Sequence, residues 1–317
     1  MRAAALRDNG IVVALAGLVI ALSLSTDTFL TKGNLVNVLD QAAVVGLLAC
    51  GMTLCIVCGM FDLSVSAVLA VSAVVSVLVT KSAGVPAGYA AGIATGTLMG
   101  TATGLVVALS RVHSFIATLA LSIVYRGLAV VITGGAIVYP HARQLDAFQT
   151  LSLPTVLGGI TAPTLVLAAV AAACWLLLAA TVFGRGVYAV GGNAEAARLS
   201  GIRTVPIRVA VFAISGACAG TAGLVMTTRA GSAQAGLGTL LELTAIAAVV
   251  IGGTSIFGGE GAVWRCLAGA LILTLISNGF NLLGWDSTYK QVIEGLLILA
   301  AVTLDRLLRG TPAPPGR

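Results

Sequence analysis

Phe183–Arg208, FGRGVYAVGGNAEAARLSGIRTVPIR, is the longest polar interruption in a chain otherwise written for a lipid bilayer. Four arginines (Arg185, Arg198, Arg203, Arg208) stand in it against one acid, Glu195. A loop this basic between long apolar runs belongs on the cytoplasmic side of a membrane. The arginines alone are equally well read as a topology signal. The residues Ala194–Leu199 between Gly191-Gly192 and Gly201 add something more. A short helix of small residues stopped by a glycine is a compact knob that suits a partner's groove.

Outward from this loop, composition decides the class. The 317 residues are 58% hydrophobic and 9% charged, with a mean hydropathy of +1.07; soluble domains carry about 25% charged residues. The expectation is an all-α polytopic membrane protein. A net charge of +6 follows from basic cytoplasmic loops and calls for no nucleic-acid partner. All six cysteines lie in apolar runs and read as small apolar residues, with neither disulfide nor metal implied. The N-terminal apolar run reads as an uncleaved first helix, because span after span follows it.

Uncharged runs place about ten spans, near 10–26, 42–60, 63–80, 85–109, 114–133, 163–182, 208–227, 240–256, 264–284 and 288–304. With the N-terminus inside, Arg2, Arg7, Arg111, Arg185, Arg198, Arg203, Arg208, Arg265, Arg306, Arg309 and Arg317 fall in the cytoplasm. Lys32, Lys81, Arg143, Arg229 and Lys290 fall outside, an asymmetry that puts both termini in the cytoplasm. The external segment 134–162 reads as a loop with a short surface helix. One membrane domain, 1–310, is followed by a disordered, proline-rich tail, 311–317.

Gly84, Gly88, Gly92, Gly96, Gly100 and Gly104 recur every fourth residue. Each step drifts about 40° around a helix, so the stripe winds and a partner helix is expected to cross it closely at an angle. Two other stretches break apolar runs with glycine and polar residues: 51–66, holding Gly59, Asp62, Ser64 and Ser66, and 250–261, holding Gly252 and Gly253. Such breaks either line a solute route, with gating glycines, or are tight turns. Arg126 interrupts the fifth span and needs an inward-facing partner. Gln234, Glu242, Asn278 and Asn281 offer amides and a carboxylate to a hydroxyl-rich solute, or hydrogen bonds between helices.

Absences narrow the function. No Gly-Lys-Ser/Thr phosphate loop, no HExxH and no GxSxG occurs, and the two histidines assemble no site. No cofactor and no catalysis are expected. Buried mid-span acids of the kind a proton-driven carrier uses are missing as well.

FGRGVYAVGGNAEAARLSGI, SAQ followed by ELTAIAAVVIGGTSIFGGEG, and NGFNLLG resemble the C-terminal half of the ribose-type sugar permeases of ABC importers, a superfamily shared with branched-chain amino-acid permeases. GMTLCIVCGMFDLSVSAVLA and FIATLALSIVYRGLAVVITGG extend the resemblance over nearly the whole chain. The resemblance implies a pair of permease subunits in the inner membrane, ATP-hydrolysing ABC subunits on the cytoplasmic face, and an extracytoplasmic substrate-binding protein. It implies that Asn193, Glu195, Ala196, Ala197, Arg198 and Gly201 form a coupling helix to the ATPase. The expected solute route passes Asp62, Ser64, Ser66, Gln234, Glu242, Asn278 and Asn281, gated at Gly59, Gly252 and Gly253. Ser66, His113-Ser114, Ala235 and Thr244 depart from the family's usual residues; Thr244 stands where an aspartate is frequent. Branched-chain amino acids or nucleosides are the alternative solutes, and an ion-coupled secondary transporter the alternative mechanism.

Overall fold

The computed structural model describes residues 2–110, 112–152, 155–157, 160–285 and isolated positions between 292 and 303. Apart from those isolated helical positions, the tenth expected span, the tail 311–317 and Arg111 lie outside the described residues.

In chain order the helices are α1 (Arg2–Ser25), α2 (Lys32–Val57), α3 (Val65–Ala83), α4 (Val85–Ser110), α5 (Ser114–Thr133) and α6 (Ala142–Gln149), then α7 (Ala162–Ala180), α8 (Val182–Gly192), α9 (Ala194–Leu199), α10 (Thr204–Ala230), α11 (Leu241–Ile251) and α12 (Val263–Leu282). A short antiparallel hairpin, β1 (Thr155–Leu157) and β2 (Ile160–Thr161), follows α6. The Thr161 hydroxyl ties it to the buried Asp40 carboxylate of α2.

Among the described residues, α2, α3, α4, α5, α7, α10 and α12 are long and apolar enough to cross a membrane. The expected span at 240–256 is corrected: α11 has 11 residues and stops at Gly252. It is about 16 Å long, half of a hydrocarbon core of about 30 Å. Hydropathy reads an apolar stretch as continuous, but Gly253, at φ 83°, adopts a left-handed conformation that ends a helix.

Burial orders the bundle. The most apolar window of α2 is 83% buried, whereas those of α5 and α7 are 22% buried; α2 is the central post and α5 and α7 form the outer rim. At the end opposite α9, α6 caps the bundle. Its Gln144 side chain donates to the Thr80 carbonyl at the end of α3. Tyr89 of α4 donates to the Phe148 carbonyl at 2.6 Å.

The α4 stripe packs on two partners in succession. Gly88 and Gly92 lie against Thr80 and Ser76 of α3, and Gly96, Gly100 and Gly104 lie against α10 at Gly216, Gly220 and Phe212. A Cβ on Gly96 or Gly100 would overlap a carbonyl oxygen of α10, and one on Gly216 would overlap the carbonyl of Gly96. Backbones this close gain dispersion along their whole length, which is what joins helices where lipid removes the hydrophobic drive.

Candidate functional site

α9 is a capped, protruding turn. The Asn193 Oδ1 accepts the N–H groups of Glu195 (3.1 Å) and Ala196 (2.9 Å), satisfying two of the donors a helix start leaves bare. At the other end Gly201 takes φ 85° and the Ile202 N–H returns to the Ala197 carbonyl at 3.0 Å. Ala197 points inward, 5% exposed, while Leu199 is 73% exposed. Glu195 and Arg198, three apart on one face, pair with each other: Nε and Nη2 of Arg198 donate to the two carboxylate oxygens at 3.0 and 2.6 Å. That arginine holds the Glu195 carboxyl below its ordinary range.

Directly before α9, three interruptions of the chain meet. The end of α8 at Gly191-Gly192 lies against both the α2–α3 break and the α11–α12 loop. The Gly259 N–H donates to the Val57 carbonyl at 2.9 Å, and the Tyr188 hydroxyl donates to the Gly261 carbonyl at 2.8 Å. Burial raises the Tyr188 pKa, so it stays a donor. A Cβ on Gly191 would overlap the Val57 oxygen, and one on Gly258 would lie 2.7 Å from the Gly191 oxygen and 2.8 Å from the Gly59 Cα. Gly59 thus sits inside this knot, while Gly252 and Gly253 form the turn ending α11, with Gly252 against the Arg265 carbonyl of α12.

The polar residues of the α2–α3 break form a sealed network. Asp62 is 1% exposed; its Oδ1 accepts the Ser64 N–H (3.0 Å) and hydroxyl (2.5 Å). Its Oδ2 accepts the Ser215 hydroxyl of α10 at 2.8 Å. Thr118 and Ser114 of α5 accept the N–H groups of Leu63 and Phe61. Irregular backbone inside the bundle is thereby satisfied without water.

Arg126 finds its partners in backbone. Its Nη1 donates to the carbonyls of Ala235 (2.7 Å) and Leu237 (2.9 Å), and Nη2 to the buried Ser66 hydroxyl (3.1 Å). Residues 231–240, which precede α11, are non-helical and fold inward until Gly238 meets Leu69 of α3. Leu240 closes this segment at φ 68°, a conformation uncommon for any residue with a side chain. Gln234 is exposed, and Glu242 is half-buried in the first turn of α11.

Beside this segment a cleft of about 630 Å³ opens between α2, α10, α11 and α12. Gln41, Arg229, Thr239, Thr244, Thr274 and Ser277 supply its polar lining, with Val44, Val45, Leu241 and Leu273 among the apolar part. Arg229 donates to the Asn37 Oδ1 at 2.6 Å. Asn278 turns away, 2% exposed, and exchanges hydrogen bonds of 3.1 and 2.7 Å with Asn34 of α2; Asn281 is exposed. None of the seven residues expected along a route is among those lining the cleft. Of the residues that do line it, Thr244 stood out in sequence by its departure from the family's usual aspartate, and Arg229 only as an external cation.

The family model for the branched-chain amino acid transport system / permease component matches residues 34–302. The ribose import permease protein RbsC of Bacillus subtilis (strain 168) is 43% identical over 291 residues, 91% of this chain and 89% of the relative. RbsC of Escherichia coli (strain K12) is 40% identical over 302 residues, 95% of this chain and 94% of the relative. The D-allose transport system permease protein AlsC of Escherichia coli (strain K12) is 37% identical over 301 residues, 94% and 89% of the two chains. No solved structure matches at a significant level.

Proposed function

The chain belongs to the branched-chain amino acid transport system / permease component family, and from that premise we propose that it carries a monosaccharide of the ribose type across the inner membrane by alternating access. It is a transporter subunit and not an enzyme. ATP is hydrolysed by separate ABC subunits, an extracytoplasmic binding protein delivers the sugar, and a second permease subunit completes the pathway. Both termini and α9 face the cytoplasm, as the arginine distribution favours. Relatives named for ribose import and for D-allose and L-arabinose transport support the sugar class.

The observation that carries this reading is the link between α9 and the glycine knot. Closure of the ATPase subunits displaces the docked α9, with Asn193, Glu195, Ala196, Ala197, Arg198 and Gly201 as the coupling element. Direct backbone contacts at Gly191, Gly59 and Gly258 pass that displacement to the α2–α3 break and the α11–α12 loop, and the Gly252-Gly253 turn lets α11 move against α12. Asp62, Ser64 and Ser66 act as the fixed frame of the route, given their burial and mutual hydrogen bonds. Asn278 clamps α2 to α12, and Gln234, Glu242 and Asn281 stand at the outer edge.

The test is purification of the chain with its ATPase partner, followed by ATPase and uptake assays with binding protein loaded with ribose, allose, arabinose or leucine. Stimulation by a loaded sugar-binding protein, abolished by Ala197→Trp with membrane insertion intact, is the expected result. A chain that moves solute alone, on an ion gradient and without ATP, overturns the proposal.

A further inference from the structure

Hydroxyls within the spans are mostly consumed by their own helices. Thr53, Thr97, Thr133, Thr221 and Thr228 each donate to the carbonyl four residues back, the usual way a membrane helix hides a hydroxyl. In the cleft between α2, α10, α11 and α12 this economy fails at adjoining positions. Among the described residues, the side chains of Gln41, Thr244 and Ser277 make no hydrogen bond to protein, and all three line the open volume. Ser72 and Ser76 also lack partners but are fully buried, with Ser76 pressed against Gly92 of α4. Polar groups kept unpaired in the interior of a membrane protein belong where water or solute meets them.

We propose that this cleft is a solute-binding compartment for a neutral polyhydroxyl molecule, with Gln41, Thr244 and Ser277 as its hydrogen-bonding residues. The proposal rests on the sugar-importer reading and names the site at which that reading operates. Hydroxyl and amide groups each donate and accept, matching a sugar hydroxyl in either sense. Val44, Val45, Leu241 and Leu273 offer apolar surface to the C–H faces of a sugar ring. The volume falls within the ~300–1,000 Å³ typical of small-molecule sites.

The same lining disfavours an amino acid. No carboxylate is among the residues lining the cleft, and its one cation, Arg229, is positive; an ammonium group entering there would be desolvated without a counter-charge. Glu242, the neighbouring acid, is not part of the lining. Arg126 grips the carbonyls of Ala235 and Leu237, in the segment that leads into the wall bearing Thr239, Leu240, Leu241 and Thr244.

The experiment uses the complex of permease, ATPase and binding protein in proteoliposomes, with D-ribose and L-leucine as probes. The double substitution Thr244→Val with Ser277→Ala is expected to lower ribose uptake at saturating loaded binding protein about tenfold, as for two lost hydrogen bonds. ATP hydrolysis is expected to continue, so the ATP used per ribose rises. Thr244→Ser with Ser277→Thr restores most of the uptake. As a second measurement, Thr244→Cys and Ser277→Cys in separate proteins should react with a membrane-impermeant maleimide and be slowed by ribose; the six native cysteines are buried. Wild-type uptake of ribose together with unchanged uptake and ATP ratio in the double variant, or with thiols that do not react, overturns the site alone. Uptake of leucine and no ribose by the wild-type complex overturns the importer's sugar class and the site with it.

Discussion

Glycine serves two opposite purposes in this molecule. Along α4 and α10, Gly96, Gly100, Gly216 and Gly220 are helical, and the lack of a side chain brings two regular backbones into contact along a shared face. At the knot, Gly59, Gly258 and Gly259 take φ values of 77°, 86° and 75° and let the α2–α3 break, the end of α8 and the α11–α12 loop meet backbone to backbone. The first arrangement packs α4 closely against α3 and α10, so that a side chain added at the contact would meet a neighbouring helix. The second brings the ends of helices and a loop together at one junction, the place where the proposed coupling motion would act. The division suits a transporter, which needs a frame and a linkage built from the same residue type.

The largest expected effect tests the frame. Gly100→Leu would force α10 away along its packed length and is expected to destabilise the fold by about 3 kcal/mol or more, read as loss of monodisperse protein after detergent extraction. Wild-type yield and thermal midpoint in this variant would show that the α4–α10 contact is not structural. Next comes the linkage: Gly191→Ala places a Cβ on the Val57 carbonyl. It should leave the helix bundle assembled while reducing stimulated ATPase activity about tenfold, in the range of site-to-site coupling energies. If both glycine variants lose folded protein equally, the distinction between frame and linkage collapses.

Arg126→Met sharpens the comparison from a third place, where irregular backbone is held by a side chain and not by glycine. Losing its hydrogen bonds to Ala235, Leu237 and Ser66 is expected to cost about 2 kcal/mol. Arg126→Lys, which keeps the charge without the fork, recovers only part of the thermal midpoint. The smallest effect belongs to Glu195→Gln on the exposed face of α9, where the thermal midpoint should not move. Because Arg198 holds the Glu195 carboxyl below its ordinary range, the pair is intact at neutral pH and is lost as pH falls through that lowered value. A change of the α9–ATPase interaction on acidification, absent in Glu195→Gln, is the corresponding readout.

What was legible in sequence was what is local. Among the described residues the apolar runs located seven spans, the four-residue glycine repeat announced a close helix crossing, and the arginine-rich loop with Gly201 marked α9. Distance along the chain hid the rest. Asn278 pairs with Asn34 across 244 residues, and Arg126 reaches carbonyls 109 and 111 residues away; no window on either segment contains both partners. α11 was overestimated because Gly252 and Gly253 sit in an apolar stretch, where hydropathy counts side chains and is blind to backbone turning. Gln41 stands in α2 and Thr274 and Ser277 in α12, more than 230 residues on, and only the convergence of the two helices makes them neighbours.

The winding stripe on α4 also bears on how the protein is made. α3 precedes α4 immediately and can occupy Gly88 and Gly92 as the hairpin enters the membrane, but α10 emerges only after α5 to α9. Until then the lower groove at Gly96, Gly100 and Gly104 faces lipid, and acyl chains must leave it before α10 docks. Completion of the bundle is therefore a late event in synthesis that ties the second half of the chain to the first, and a ribosome stalled before Thr204 would leave a nascent chain with the groove at Gly96, Gly100 and Gly104 open.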